Sequence, residues 1–181
     1  MRVAVTINAM PGTFQKLRES IVPVFNKTSN IKISSIHDVY GFCDLICELD
    51  FEGKTEDIYD DICTRLTSIP EVKRTNTHIV IHKSPPEKSF RNPITGYVFI
   101  SAIPELIKAT QEELIKLSHV ISCEIISGEY DILVRTDIPI HLLEEFSLQI
   151  QSAKGFRSSD TCIPHDVFRF LQQKMVDEKT T

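Results

Sequence analysis

An α+β fold, written twice over, is what the 181-residue sequence predicts, on three observations. A Gly-x-x-Asp stretch recurs as Gly41-Phe42-Cys43-Asp44 and Gly128-Glu129-Tyr130-Asp131, 87 residues apart, each time between two apolar, strand-like runs. Around both stretches strand-like and helix-like periodicities alternate in the same order, β-α-β-β-α-β. Between the copies lies a polar, proline-rich break over 84–95. The period exceeds the roughly 20–50 residues of solenoid repeats, so each copy reads as a small domain. The boundaries are 1–83 for the first and 96–164 for the second, with 165–181 beyond them.

In the first copy Val3, Val5 and Ile7 alternate with Ala4, Thr6 and Asn8, a half-buried strand broken by Pro11-Gly12. Phe14, Leu17, Ile21 and Val24 recur at helical spacing, with an expected stop near Pro23. The β-branched and aromatic runs Ile31 to Tyr40 and Phe42 to Phe51 predict a hairpin about Gly41. Thr55 reads as a helix N-cap followed by the first-turn acids Glu56 and Asp57. Ile58, Ile62, Leu66 and Ile69 supply that helix's buried stripe. Pro70 ends it, and 72–82 is the last strand.

The second copy repeats the order. Tyr97 to Ile103 is a strand, and a helix over 105–117 buries Ile107, Leu114 and Leu117. Val120 to Ser127 and Tyr130 to Thr136 form a hairpin about Gly128. Pro139 opens a helix that carries Leu142, Leu143, Phe146 and Ile150. Gly155 stops it, and Phe156 to Ile163 closes the unit. Each copy is therefore a split βαβ, or ferredoxin-like, unit. Such a sheet has helices on one face only. The alternation of Ile132, Leu133 and Val134 makes both faces apolar, so the expected architecture is two domains packed sheet to sheet as an intramolecular pseudo-dimer. The tail adds a C-terminal amphipathic helix with Phe168, Leu171 and Met175 on one face.

Composition narrows the function classes. Apolar content of 41% and charged content of 25% are those of an ordinary globular protein. A net charge of −5, with Lys and Arg scattered, argues against direct nucleic-acid binding. The five cysteines contain no CxxC pair and fit reduced, buried thiols. There is no leader-like segment and no run of about 18 apolar residues, so a cytoplasmic protein without a membrane partner is expected. His78 and His82, four apart on a strand, stand about 13 Å from each other, too far to share an ion. No phosphate loop, GxSxG or HExxH pattern occurs. Metal, cofactor and catalytic residues are not expected, and the chain is read as a non-enzyme.

The second copy, from Gly96-Tyr97-Val98-Phe99-Ile100 through Gly128-Glu129-Tyr130-Asp131-Ile132-Leu133-Val134 to Thr161, resembles the ligand-binding RAM domain of Lrp/AsnC regulators. The first copy resembles it through Gly41, Asp44 and Thr75-Asn76-Thr77. Family regulators carry a helix-turn-helix segment before this domain, and here none precedes the first strand, so DNA binding is not carried over. The resemblance implies a stand-alone module that binds a small amino-acid-like effector. It implies a ligand site of Gly128, Glu129, Tyr130, Asp131 and Thr161, with Gly41, Asp44, Thr75 and Thr77 in the first copy. Assembly into a homo-oligomer of two to four chains is implied as well, and action through a DNA-binding regulator as partner. Read from the residues alone, the Gly-Asp pairs equally suit tight turns, and the threonines suit ordinary strand positions. Two alternatives stand beside the sensor: an enzyme on the same scaffold, such as a relative of the haem-pathway decarboxylases, and a structural adaptor with no ligand.

Overall fold

The computed structural model describes residues 1–26, 29–83 and 94–165. The expected C-terminal helix of Phe168, Leu171 and Met175, and most of the Pro-rich segment, lie outside them. The chain divides into two compact units, Met1–Asp38 with Cys43–Val80, and Val39–Phe42 with Ile81–Thr181. Four residues of the first hairpin thus belong to the second unit.

The first unit contains β1 (Arg2–Ala9), α1 (Phe14–Asn26), β2 (Ile31–Tyr40), β3 (Leu45–Phe51), α2 (Thr64–Thr67) and β4 (Val72–His82). β1 pairs antiparallel with both β3 and β4, and β2 pairs with β3, which gives the order β4-β1-β3-β2. In the second unit β5 (Gly96–Ala102), α3 (Ile107–Leu114), β6 (Val120–Ser127), β7 (Ile132–Thr136), α4 (Leu143–Gln151) and β8 (Phe156–Pro164) follow. The order there is β8-β5-β7-β6, the same sheet strand for strand. Both units are ferredoxin-like βαββαβ folds.

The cores explain the periodicities. Val3, Val5 and Ile7 of β1 and Leu45, Cys47, Leu49 and Phe51 of β3 meet Leu17, Ile21, Ile58, Ile62 and Leu66 beneath the helices. Val98, Ile100, Ile132 and Val134 do the same against Leu114, Phe146 and Ile150. Most of these side chains are completely buried, and removal of apolar area from water is the main stabilising term in each unit.

Several boundaries depart from expectation. α1 runs through Pro23 to Asn26 instead of stopping. Phe25, on the extra turn, is wholly buried, and that burial offsets the missing proline N–H. Lys54 is the cap position rather than Thr55, and its N–H donates to Asp57 Oδ2 at 3.2 Å. Ile58, Ile62 and Leu66 are spaced by four residues, which drifts off one face of a 3.6-residue helix. A π turn over Tyr59–Cys63 widens the spiral and returns all three to the core. The helix expected over 105–117 is a 3-10 turn, Pro104–Leu106, followed by α3, which ends at Leu114. On α3 the inward positions between Ile107 and Leu114 are Thr110 and Gln111, both buried. Gln111 Nε2 donates to the Cys123 carbonyl at 2.7 Å, and Thr110 Oγ1 donates to the Lys154 carbonyl at 2.6 Å. β7 begins at Ile132, so Tyr130 belongs to the turn.

The first hairpin differs most. β2–β3 pairing stops at Asp38 opposite Leu45. Val39 and Tyr40 pair instead with Pro164 and Ile163 of β8, inside the second unit.

Candidate functional site

The repeated Asp has the same local task in both copies. β1 extends beyond its last partner on β3, as β5 does beyond its last partner on β7. The next amide in line would face no strand. Asp44 Oδ2 accepts the Ala9 N–H at 2.8 Å, and Asp131 Oδ2 accepts the Ala102 N–H at 2.8 Å. The Asp44 and Asp131 N–H groups donate to the Ile7 and Ile100 carbonyls, each at 3.0 Å. A charge-assisted bond of this kind replaces the absent ladder contact.

The other residues named from the sequence separate onto different surfaces. Gly128, with φ +125°, and Glu129 lie exposed at the turn. Cross-strand partners share a sheet face. Thr75 lies opposite Ile7, Thr77 opposite Val5 and Thr161 opposite Val98, which puts all three threonines on the helix-covered side. Thr77 Oγ1 lies 3.3 Å from Cys63 Sγ on the helical segment. Tyr130 is on the other side. Its hydroxyl donates to Asp160 Oδ2 at 2.7 Å, and its ring lies 5.4 Å from Phe99 and 5.6 Å from Phe42. Gly41 passes so close to β8 that a Cβ would strike the Thr161 carbonyl oxygen and come within 2.8 Å of Cys162 Sγ. Thr161 and Tyr130 therefore do not converge on one point.

The face of each sheet without helices carries buried polar and charged side chains. In the second unit one row across the strands is Cys162, Tyr97, Arg135 and Ser122, and the next is Asp160, Phe99, Leu133 and Glu124. Arg135 Nη1 donates to Glu124 Oε2 at 2.8 Å and to Ser122 Oγ at 3.0 Å. The two charged side chains are only 2% and 3% exposed. In the first unit the equivalent rows are His78, Ala4, Glu48 and Ser35, then Asn76, Thr6, Ile46 and His37. His78 is fully buried and Glu48 nearly so. The repeat thus places Glu48 where the second copy has Arg135. The signal for Arg135 was a charge inside the otherwise apolar run Ile132-Leu133-Val134-Arg135. Asp160 and Glu124 gave none.

Burial keeps three acidic protons in place. It raises the Tyr130 phenol well above its ordinary value, and the Asp160 carboxylate adds to the effect. The Cys47 thiol is pushed up to about 12 by burial and then by Asp38. The Cys123 thiol rises to about 12 by burial and then by Glu124. Neither thiol is a nucleophile near neutrality. Among the described residues no group of three or more His, Cys, Asp or Glu could hold a metal ion.

No protein-family model matches the chain, and no curated protein matches it in sequence. Solved structures do match. The siroheme decarboxylase NirDL in co-complex with an iron-uroporphyrin III analogue aligns over 91% of this chain and 71% of its own, with a TM-score of 0.62 and 6% identity. A second NirDL structure aligns over 100% of this chain and 80% of its own, with a TM-score of 0.60 and 10% identity. At such identities the likeness establishes the fold, the ferredoxin-like class derived above. It also corrects the expectation of a non-enzyme. The scaffold shared along nine-tenths or more of the chain is that of a decarboxylase, so the absence of a familiar catalytic motif is no ground for setting catalysis aside. Among the described residues no helix is long and apolar enough to cross a membrane.

Proposed function

We propose that this chain is a tetrapyrrole-binding enzyme of the siroheme-decarboxylase type, which removes the carboxylate group of a macrocycle side chain as carbon dioxide and leaves the side-chain carbon protonated on the ring. The observation that carries the reading is the fold shared with NirDL over at least 91% of this chain. The helix-free face of the second unit supports it chemically. A carboxylate-rich, flat macrocycle is recognised by guanidinium groups and aromatic rings. That face holds Arg135 opposite Tyr97, with Phe99 in the next row and Tyr130 packed against Phe99. Arg135 would engage a substrate carboxylate by exchanging part of its contact with Glu124. The test is absorbance titration of the purified chain with iron-uroporphyrin III, then incubation with siroheme and mass spectrometry of the product. Saturable binding and loss of one carbon dioxide per step are expected. Failure to bind either compound at tens of micromolar would refute the reading.

The exposed Gly128-Glu129 turn, whose backbone is open to solvent, favours a second role beside this one. An amino-acid-like effector would bind there, with Gly41 and Asp44 in the corresponding place, and a homo-oligomer of two to four chains or a DNA-binding partner would transmit the signal. A thermal-shift screen over the amino acids tests the effector, since a ligand at 100 times its Kd adds about 2.7 kcal/mol. Light scattering tests the assembly.

A further inference from the structure

When carbon dioxide leaves a side chain, the bond from the side-chain carbon to the carboxylate carbon breaks and its electron pair stays on the side chain. That carbon must then receive one proton. The donor has to keep its proton until the bond breaks, sit where water is excluded, and be reloaded from solvent afterwards.

On the helix-free face of the second unit one group meets all three conditions. Tyr130 is 8% exposed, wedged against Phe42 and Phe99. Phe42 is itself held by Phe99 in an edge-to-face contact at 5.2 Å. The Tyr130 hydroxyl is 2.7 Å from Asp160 Oδ2, and Asp160 is exposed. The phenol therefore has a dry side among aromatic rings and a wet side through a carboxylate. The neighbouring acids differ. Tyr97 and Cys162 are completely buried, and the Ser122 hydroxyl, a far weaker acid, accepts from Arg135. The charged or titratable groups facing Tyr130 are Asp160 and Cys162 from β8 and Glu129 from its own turn, and burial with Asp160 keeps the phenol protonated.

Resting on the decarboxylase reading above, we propose that Tyr130 is the catalytic proton donor and Asp160 its positioning and reloading partner. The phenol O–H bond breaks as the new C–H bond forms, leaving a phenolate and carbon dioxide. Asp160 takes a proton from solvent and returns it to the phenolate oxygen. The sum is one carboxylate and one solvent proton converted to a C–H bond and carbon dioxide, with no oxidant or reductant.

The experiment uses the full chain with siroheme as substrate and iron-uroporphyrin III as binding probe. Tyr130→Phe should leave the melting temperature and probe affinity near those of the wild type while kcat falls about 100-fold or more. Asp160→Asn, altered at an exposed side chain, should lower kcat less and change the pH dependence of kcat while KM stays close to wild type. A wild-type chain that turns over siroheme while both variants keep kcat within threefold and the same pH profile overturns the Tyr130 assignment alone. A wild-type chain that neither binds the probe nor turns over siroheme overturns the decarboxylase reading and this assignment with it.

Discussion

Replacing Glu124 by Leu should be among the most damaging single substitutions in the second unit, and replacing its partner at the same time should undo most of the damage. Glu124 and Arg135 are 3% and 2% exposed and meet at 2.8 Å. The cost of taking both charges out of water is already met in the folded state by their mutual attraction and by Ser122. Removing the carboxylate leaves a buried guanidinium without that compensation, a loss of about 3–5 kcal/mol. Each kcal/mol lowers Tm by roughly 2–4 °C for a chain of this size, so Glu124→Leu should melt on the order of 6–20 °C below wild type. Arg135→Met should cost a similar amount. The double variant removes both charges and fills the space with apolar atoms, and is expected near or above wild-type stability. Urea denaturation of the four proteins gives the cycle, with the m-value as a check that unfolding remains two-state. A Glu124→Leu protein within about 1 kcal/mol of wild type would show that the pair is not desolvated, and the buried polar face would lose its premise. The same double variant bears on function. If it is stable yet no longer binds iron-uroporphyrin III, Arg135 is kept for recognition rather than for folding.

Three further outcomes follow from the geometry. Asp44→Ala and Asp131→Ala should each cost about 1.5–3 kcal/mol by chemical denaturation, because each strands one backbone amide; a large loss at one with none at the other would contradict their shared role. Gly41→Ala should destabilise well beyond the roughly 1–2 kcal/mol of a positive φ alone, since its Cβ would collide with β8, whereas Gly12→Ala, with φ +78° and no atom within 4 Å, should cost only the backbone term. Cys47 and Cys123, raised from 9.0 to about 12 in the folded state, hold stability that is complete below pH 9 and is lost as pH rises towards 12. The unfolded thiols release protons first over that window, so the unfolding free energy from urea titrations should fall by at most about 1.4 kcal/mol per pH unit per thiol; an Ellman assay at pH 8.5 should find both unreactive until denaturant is added.

The units were legible in the sequence because their helix-facing sides obey simple rules. Val3, Val5 and Ile7 alternate, Ile58 to Ile69 recur, and the two Gly-x-x-Asp turns announce the repeat. The candidate site was legible only in fragments. The turn singles out Tyr130 in the sequence, but Asp160, which accepts its hydroxyl proton in a hydrogen bond, sits thirty positions later in a stretch that reads as polar surface. Thr75, Thr77 and Thr161 share a register with Ile7, Val5 and Val98, and only that register shows them facing the helices. Arg135 and Glu124 were passed over because alternation assigns buried strand positions to apolar residues, and a buried ion pair breaks that rule by satisfying itself. The course of Pro23 within α1 and the switch of Val39–Tyr40 to β8 both depend on contacts remote in sequence, with no local signature.

The transfer of Val39–Phe42 to the second unit bears on how the chain comes into being. On the ribosome these four residues emerge long before Tyr97 to Pro164 exist. Gly41 has no β8 to approach, Phe42 has no Phe99 or Tyr130, and Tyr40 has no Ile163 to pair with. Until then a short, aromatic strand end stays open, the kind of edge that recruits other chains. A fragment ending at Lys83 should therefore aggregate where the whole chain does not, which light scattering at equal concentration checks.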